Sequence, residues 1–314
     1  MNLTPIVLYN NTSSASPAPF QQMLIIPANT SINSTYTNIR FRDGNYKLLT
    51  SWLESYTTSS ATIWIVLPNG ISSKSAMTIY METGNLSDNF LDGVTVGEAP
   101  QLSATYGQYD NGAKVFSFYD NFAGTTLSNK WAVGTSITVS VNDGITISGG
   151  KYTDASSVTT SSLTVSPPFI VEAYGTLPIS GFGWAVGASD IAGSNTRGAS
   201  GFTGLAATQI EAGQSTVSAS SYGGNFGSAA TTGIWTTETL SSTTSIFYLN
   251  YGNAFTETNN APTYPVYLSL VYFNNNTVIK YSWYRVRAYP PSGTMPIQVN
   301  KLSSIVDIIE GLII

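Results

Sequence analysis

The sequence contains no histidine and no cysteine, and Asp, Glu, Lys and Arg make up only 9% of it, where a soluble domain usually carries about a quarter. Without cysteine there can be no disulfide, thiolate nucleophile, zinc ribbon or iron–sulfur site. Without histidine the commonest general base and the commonest transition-metal ligand are both missing. Twelve Lys and Arg against seventeen Asp and Glu give a formal net charge of -5. That is too little positive charge for a phosphate-neutralising stripe, so no nucleic acid partner is expected. Met1 to Tyr9 also lacks the basic start and apolar run of a signal peptide. A processed chain fits that start, and so does one assembled inside a cell and released, as virion proteins are.

Ser, Thr, Asn, Gly and Tyr fill the space that charge leaves. Apolar residues at 42% and aromatics at 12% still indicate a globular chain, and 314 residues suffice for two domains with separate cores. Between Lys151 and Lys280 the charged side chains are Asp154, Glu172, Asp190, Arg197, Glu211, Glu238 and Glu257. Few titrating groups imply stability that varies weakly from about pH 3 to 7, an acid-tolerant trait. Sequons at Asn2, Asn10, Asn11, Asn29, Asn33, Asn85 and Asn275 would make the chain a glycoprotein where it meets that machinery.

Strand signals dominate. Thr62 to Leu67 is a β-branched and aromatic run stopped by Pro68-Asn69-Gly70, and Met77 to Met81 reads as its antiparallel neighbour. Ile137, Val139 and Val141 alternate with polar residues, Asn142-Asp143-Gly144 supplies a turn, and Ile145 and Ile147 resume the alternation of a hairpin. Phe182, Trp184 and Val186 share one parity, as do Val266, Leu268, Leu270 and Tyr272. Helical periodicity is confined to the end, where Leu302, Ile305, Ile309 and Leu312 recur at spacings of three and four. Residues 301 to 314 are too short to span a bilayer, which takes about 20 residues. Turn chemistry at 107–112 and the aromatic run Phe116 to Tyr119 place a domain boundary between Gly112 and Asn121.

Five segments occur in order: Pro19-Phe20-Gln21-Gln22, Asn38-Ile39-Arg40-Phe41, Leu49-Thr50-Ser51-Trp52-Leu53-Glu54, Ala61-Thr62-Ile63-Trp64 and Ile79-Tyr80-Met81-Glu82-Thr83-Gly84. On these, residues 19 to 118 resemble a domain of unknown function common in archaeal and bacterial surface proteins. From Asp120 the chain is similar to a concanavalin-like (laminin-G-like) module, the fold of lectins and glucanases. Asp120, Phe122, Gly124, Thr125, Leu127 and Trp131 match the opening of that family. The resemblance implies an all-β fold of two β-sandwich, jelly-roll-like modules, 1–118 and 119–290. The second would have a concave face of the kind that often binds glycans. Residues 291–314 would form a tail with a short amphipathic helix.

Concanavalin-like folds also house glycoside hydrolases, which need two carboxyl groups about 5 Å apart, or roughly 6.5–9.5 Å for inversion. Glu172, Glu211, Glu238 and Glu257 are isolated along the chain, so hydrolysis is the minor alternative and the chain is read as not an enzyme. Calcium, the one cofactor this fold would suggest, takes oxygen ligands, and Asp120, Asn142 and Asp143 are the candidates. Aromatic faces among neutral hydrogen-bonding groups suit sugars, which selects Trp184, Tyr222, Trp235, Tyr248 and Tyr251. Arg285 and Arg287 share a strand face with Trp283 and would add affinity for a carboxylated glycan.

The reading is an extracellular attachment protein on a cell surface or virion exterior, archaeal by resemblance. Its partners would be glycans or surface proteins of a host or neighbouring cell. The alternative is a structural subunit of an appendage, layer or particle. The tail is expected to drive assembly through Leu302, Ile305, Ile309 and Leu312, because burying each side chain is worth about 1.5–3 kcal/mol and the spacing suits a helical seam. Light scattering and melting of the full chain against a chain ending at Met295 would check this. Two monomers, with only the shortened one melting lower, would place the tail on its own domain.

Overall fold

The computed structural model describes residues 2–151, 156–190, 198–204, 208–216, 218–252, 254–271 and 274–299. In chain order its strands begin with β1 (Asn2–Asn10), β2 (Phe20–Pro27), β3 (Ile39–Arg42), β4 (Ser51–Tyr56), β5 (Ser60–Leu67), β6 (Ser75–Thr83) and β7 (Val96–Glu98). After a single helical turn, α1 (Gly112–Val115), come β8 (Phe118–Asp120), β9 (Trp131–Val133), β10 (Ile137–Val141), β11 (Ile145–Gly149), β12 (Val158–Val165), β13 (Phe169–Leu177), β14 (Ala185–Ser189) and β15 (Ala199–Thr203). The series ends with β16 (Ile210–Ser215), β17 (Ser220–Gly227), β18 (Thr231–Thr239), β19 (Ser245–Leu249), β20 (Ala254–Glu257), β21 (Val266–Val271), β22 (Ile279–Arg287) and β23 (Ile297–Val299). The fold is all-β. It forms two compact units, one made of Met1–Ser117 with the chain from Ala288 onward, the other of Phe118–Arg287.

The first unit is a sandwich of two four-stranded sheets, ordered β23-β1-β6-β3 and β2-β5-β4-β7. Ile39 and Phe41, Ile63 and Ile65, and Ile6 and Leu8 alternate inward to build its core. Residues 62–67 and 77–81 are not neighbours: β5 pairs with β2 and β4, while β6 pairs with β1 and β3 in the facing sheet. The connection from Pro68 to Lys74 is long enough to cross between layers, which a tight hairpin turn is not.

Several residues quoted for the resemblance are joined to each other or to nearby chain. Glu82 on β6, almost wholly buried, receives Arg40 at 2.6 Å and also Arg42, both from β3. The Trp64 indole donates to Glu54 at 2.8 Å, and the Trp52 indole to Asp110 at 2.8 Å. Buried asparagines act as loop clamps. Asn10 Nδ2 donates to the carbonyls of Ser14, Ile71 and Ser72 while its Oδ1 accepts from Thr12.

The second unit is a larger sandwich. One sheet runs β10-β11-β22-β13-β18-β19-β20, with β8 also on β22; the other runs β17-β16-β15-β14-β21-β12-β9. The 137–147 hairpin forms as the alternation requires, with Val141 opposite Ile145 and Asp143 and Gly144 at positive φ in its turn. Phe169, Val171, Ala173, Trp235, Phe247, Leu268, Leu270 and Tyr281 meet between the layers. The shared parity of Phe182, Trp184 and Val186 does not mark a face. All three are buried, Val186 has a φ of 51°, and the register slips between Ala185 and Ala188.

The expectation of a helical tail from residue 291 is corrected for its first part. Pro291–Gly293 is a 3-10 turn, and β23 pairs with β1 through Val7–Val299, Leu8–Gln298 and Tyr9–Ile297. The Gln298 amide also accepts from the Ile25 N–H at 2.9 Å and donates to its carbonyl at 3.0 Å. Leu302, Ile305, Ile309 and Leu312 lie outside the described residues. A chain cut at Met295 would lose β23, so the assembly comparison belongs at Val299. Removing residues 300–314 should abolish any oligomer in light scattering while leaving the melting temperature of the monomer unchanged. A lower melting temperature without a change in mass would contradict an intermolecular role.

Candidate functional site

The outward face of the eight-stranded sheet carries the chemistry of the second unit. Along β13, Phe169, Val171 and Ala173 turn into the core, so Ile170, Glu172, Tyr174 and Thr176 occupy the other face. Register places Arg287, Arg285, Trp283 and Lys280 of β22 beside those four residues in turn. On the opposite flank Glu238, Thr236, Ile234 and Thr232 of β18 complete the rows. Between Tyr174 and Gly175 the register shifts and Ser282 becomes the extra residue of a bulge. Gly175 is needed there, because a Cβ would lie 2.1 Å from the Lys280 carbonyl oxygen.

At one end of this face lies a buried charge cluster. Arg285 Nε donates to Glu172 Oε2 at 2.7 Å and Arg287 Nε to Oε1 at 3.1 Å. Thr236 Oγ1 donates to Glu172 as well, and Arg285 Nη2 donates to the Tyr251 hydroxyl at 2.7 Å. Glu172 and Arg285 are fully buried. Burial by itself would raise the Glu172 pKa, but the charges and hydrogen bonds of Arg285 and Arg287 outweigh it and hold the carboxyl below its usual range. Glu238 behaves oppositely: burial, helped by the Glu172 charge, pushes it up against the pull of Arg287 and the Tyr248 hydrogen bond. Register places the two acids diagonally on adjacent strands of one face, Glu172 opposite Thr236 and Glu238 opposite Ile170. Sequence spacing made them look isolated.

Trp283 connects this cluster to an open cleft. Its ring has the Arg285 guanidinium 4.6 Å from its centroid and stacks with Tyr174 at 6.1 Å. Beyond Tyr174 the cleft encloses about 510 Å³, within the range of small-ligand sites. Ser140, Thr146, Thr176, Thr232 and Ser282 line it, with Tyr174, the exposed Lys280 and the hairpin turn at Asn142 and Asp143. Tyr174 and Lys280 escaped the sequence reading. The signal was present in the continued alternation past Glu172, which would have placed Tyr174 on the same face.

The expected sugar-binding residues divide into three places. Tyr248, Tyr251, Arg285 and Arg287 do meet on the outward face, but the two arginines are committed to Glu172. Trp184 is buried against the exposed Tyr222, away from that face and nearer the seven-stranded sheet. Trp235 is a core residue whose indole donates to the Gly175 carbonyl at 3.0 Å, so its ring cannot serve as a platform. Asp120 is likewise corrected as a metal ligand. Its carboxylate accepts from Phe122 N, Ser128 Oγ and Trp131 Nε1, which explains why Asp, Phe and Trp open this module together. Among the described residues no three acidic side chains gather for a metal.

Of the sequons, Asn10 is fully buried and its amide nitrogen is engaged by three carbonyls, which leaves no room for a glycan. Asn2, Asn29, Asn85 and Asn275 are exposed, and Asn11 and Asn33 are half-buried.

Residues 35–99 match the family described as Domain of unknown function (DUF2341). Over 131 residues, 38% of its length, the chain is 39% identical to Uncharacterized protein 562 of Sulfolobus islandicus rod-shaped virus 1, and it spans 23% of that protein. Among solved structures it is similar to a beta-1,3-glucanase from Mycobacterium marinum, with 13% identity over 55% of this chain and 98% of that one, at a TM-score of 0.37. A family 16 glycosyl hydrolase from Mycobacterium smegmatis gives 12% identity over 55% and 99%, also at 0.37. The GH43 protein BlXynB of Bacillus licheniformis gives 11% over 83% and 56%, again at 0.37. The expectation that the chain is not an enzyme is corrected by these hydrolase neighbours and is dropped. Likeness of this degree does not transfer their activity.

Opposite pKa shifts give the two acids opposite pH signatures. Glu172, depressed when folded, stabilises the fold above the unfolded carboxylate value of about 4.3 and loses that contribution as pH falls through its folded pKa. Glu238, raised when folded, contributes below about pH 4.3 and loses its contribution as pH rises through its folded pKa. Glu172→Gln should cost about 3–5 kcal/mol at pH 7, because Arg285 is left buried without its countercharge. Glu238→Gln should raise stability at pH 7 relative to pH 4. Urea titrations of both variants at the two pH values check the signs.

Proposed function

We propose that the second unit binds carbohydrate in the cleft beside Tyr174, within a protein displayed outside the cell or on a virion. The observation that carries this reading is the cleft itself. A half-exposed tyrosine ring, stacked with Trp283, lies among hydroxyl and amide groups on five adjacent strands and a hairpin turn. Sugars present alternating C–H faces and hydroxyl edges, so a fixed aromatic face with neutral donors and acceptors around it matches them. The viral source of the 39% identical relative supports the virion setting. Among the described residues no helix is long and apolar enough to cross a membrane.

A second reading, glycan hydrolysis at the charged end of this face rather than in the cleft, rests on Glu172 and Glu238, carboxyls on adjacent strands whose pKa values are shifted in opposite directions, Glu172 down by its arginines and Glu238 up by burial. Both readings are tested on one panel of oligosaccharides, followed by tryptophan fluorescence for binding and by reducing-end release for cleavage. Tyr174→Ala should weaken binding by about tenfold or more, as loss of a central aromatic anchor does, with the melting temperature retained. Glu238→Gln should leave binding intact and abolish any cleavage. A panel on which nothing binds overturns the carbohydrate reading.

A further inference from the structure

We infer that the cleft selects an acidic sugar, one bearing a carboxylate, through Lys280; this rests on the carbohydrate reading above. The outward face holds three cations on one strand, Lys280, Arg285 and Arg287, and they differ in what they face. Arg285 and Arg287 are buried and both bond Glu172. A ligand carboxylate would have to displace Glu172 to reach either. Lys280 stands beyond the bulge at the other end of the strand, exposed, beside Thr176 and Thr146 on the neighbouring strands. Those neighbours are neutral, and among the described residues no carboxylate or carbonyl pairs with the Lys280 ammonium. Charge on an otherwise neutral floor is selective, because a neutral sugar gains little from it while an anionic one gains a charge-assisted hydrogen bond.

The cleft also has polarity. Asp143 lies in the turn of the 137–147 hairpin, where its Oδ1 accepts from Gly124 N. A cation on the strand floor and a carboxylate in the turn favour one orientation of a sugar acid, carboxylate toward Lys280 and hydroxyls toward Asn142 and Asp143. Tyr174 would take the apolar face of the same ring.

The test uses the full chain with uronate-containing tetrasaccharides and the same tetrasaccharides after reduction of the carboxyl groups, titrated by calorimetry. The acidic form should bind roughly tenfold more tightly than its reduced counterpart. Added salt should weaken the acidic form alone. Lys280→Met should bring the acidic form down to the affinity of the reduced form and leave the reduced form unchanged. Equal affinity for both forms, or an acid preference that survives in Lys280→Met, overturns the inference and leaves carbohydrate binding standing. Binding of neither form, with neutral glycans also unbound, overturns both.

Discussion

Glu172, held between Arg285 and Arg287, is the interaction on which the outward face of the second unit depends. It is the registered partner of Arg285 and the diagonal neighbour of Arg287, so a single carboxylate bridges two guanidiniums on the next strand. Taking such charges out of water is unfavourable unless every polar atom finds a partner, and removing one member leaves the rest stranded. The cluster therefore locks β13 to β22 in one register. With that register fixed, Trp283 is set beside Tyr174 and Lys280 beside Thr176. The first unit repeats the device: Glu82 sits opposite Arg40 and also bonds Arg42. In a chain so poor in charge, both units spend buried charge on strand pairing.

The bulge at Ser282 converts this rigid face into a site. An extra residue on β22 breaks the ladder just past Tyr174, and Gly175 allows the two backbones to approach. The same insertion separates the buried charge cluster at one end of the face from the open end that carries Lys280. Trp283, held between a guanidinium and a tyrosine ring, has little freedom to move. Tyr174 is therefore presented already oriented, which reduces the ordering a ligand must impose.

Side-chain hydrogen bonds outside the salt bridges supply much of the remaining organisation. Asn10 clamps a loop in the first unit, Asp120 closes the opening of the second, and Asn274 donates to the carbonyls of Gly149 and Thr277. These groups satisfy buried backbone acceptors and donors at turns where strand pairing has ended. Among them Asn10 shows how a sequence motif can mislead, since the sequon is intact but its amide is already occupied.

Local pattern in the sequence was enough for the all-β class, the 137–147 hairpin and the shared face of Trp283, Arg285 and Arg287. Alternation and turn residues act over a few positions, and each is written in consecutive residues. The missing histidine and cysteine likewise excluded imidazole and thiolate groups at once. Tertiary structure decided everything that depends on which strands become neighbours. Glu172 and Arg285 are separated by 113 residues, and nothing in either neighbourhood specifies the other. For the same reason Glu172 and Glu238 looked isolated, Trp235 looked available, and residues 62–67 and 77–81 looked paired. Period and parity give the face on which a side chain lies, but only the closed sheets determine whether that face meets water, the core or an opposite charge.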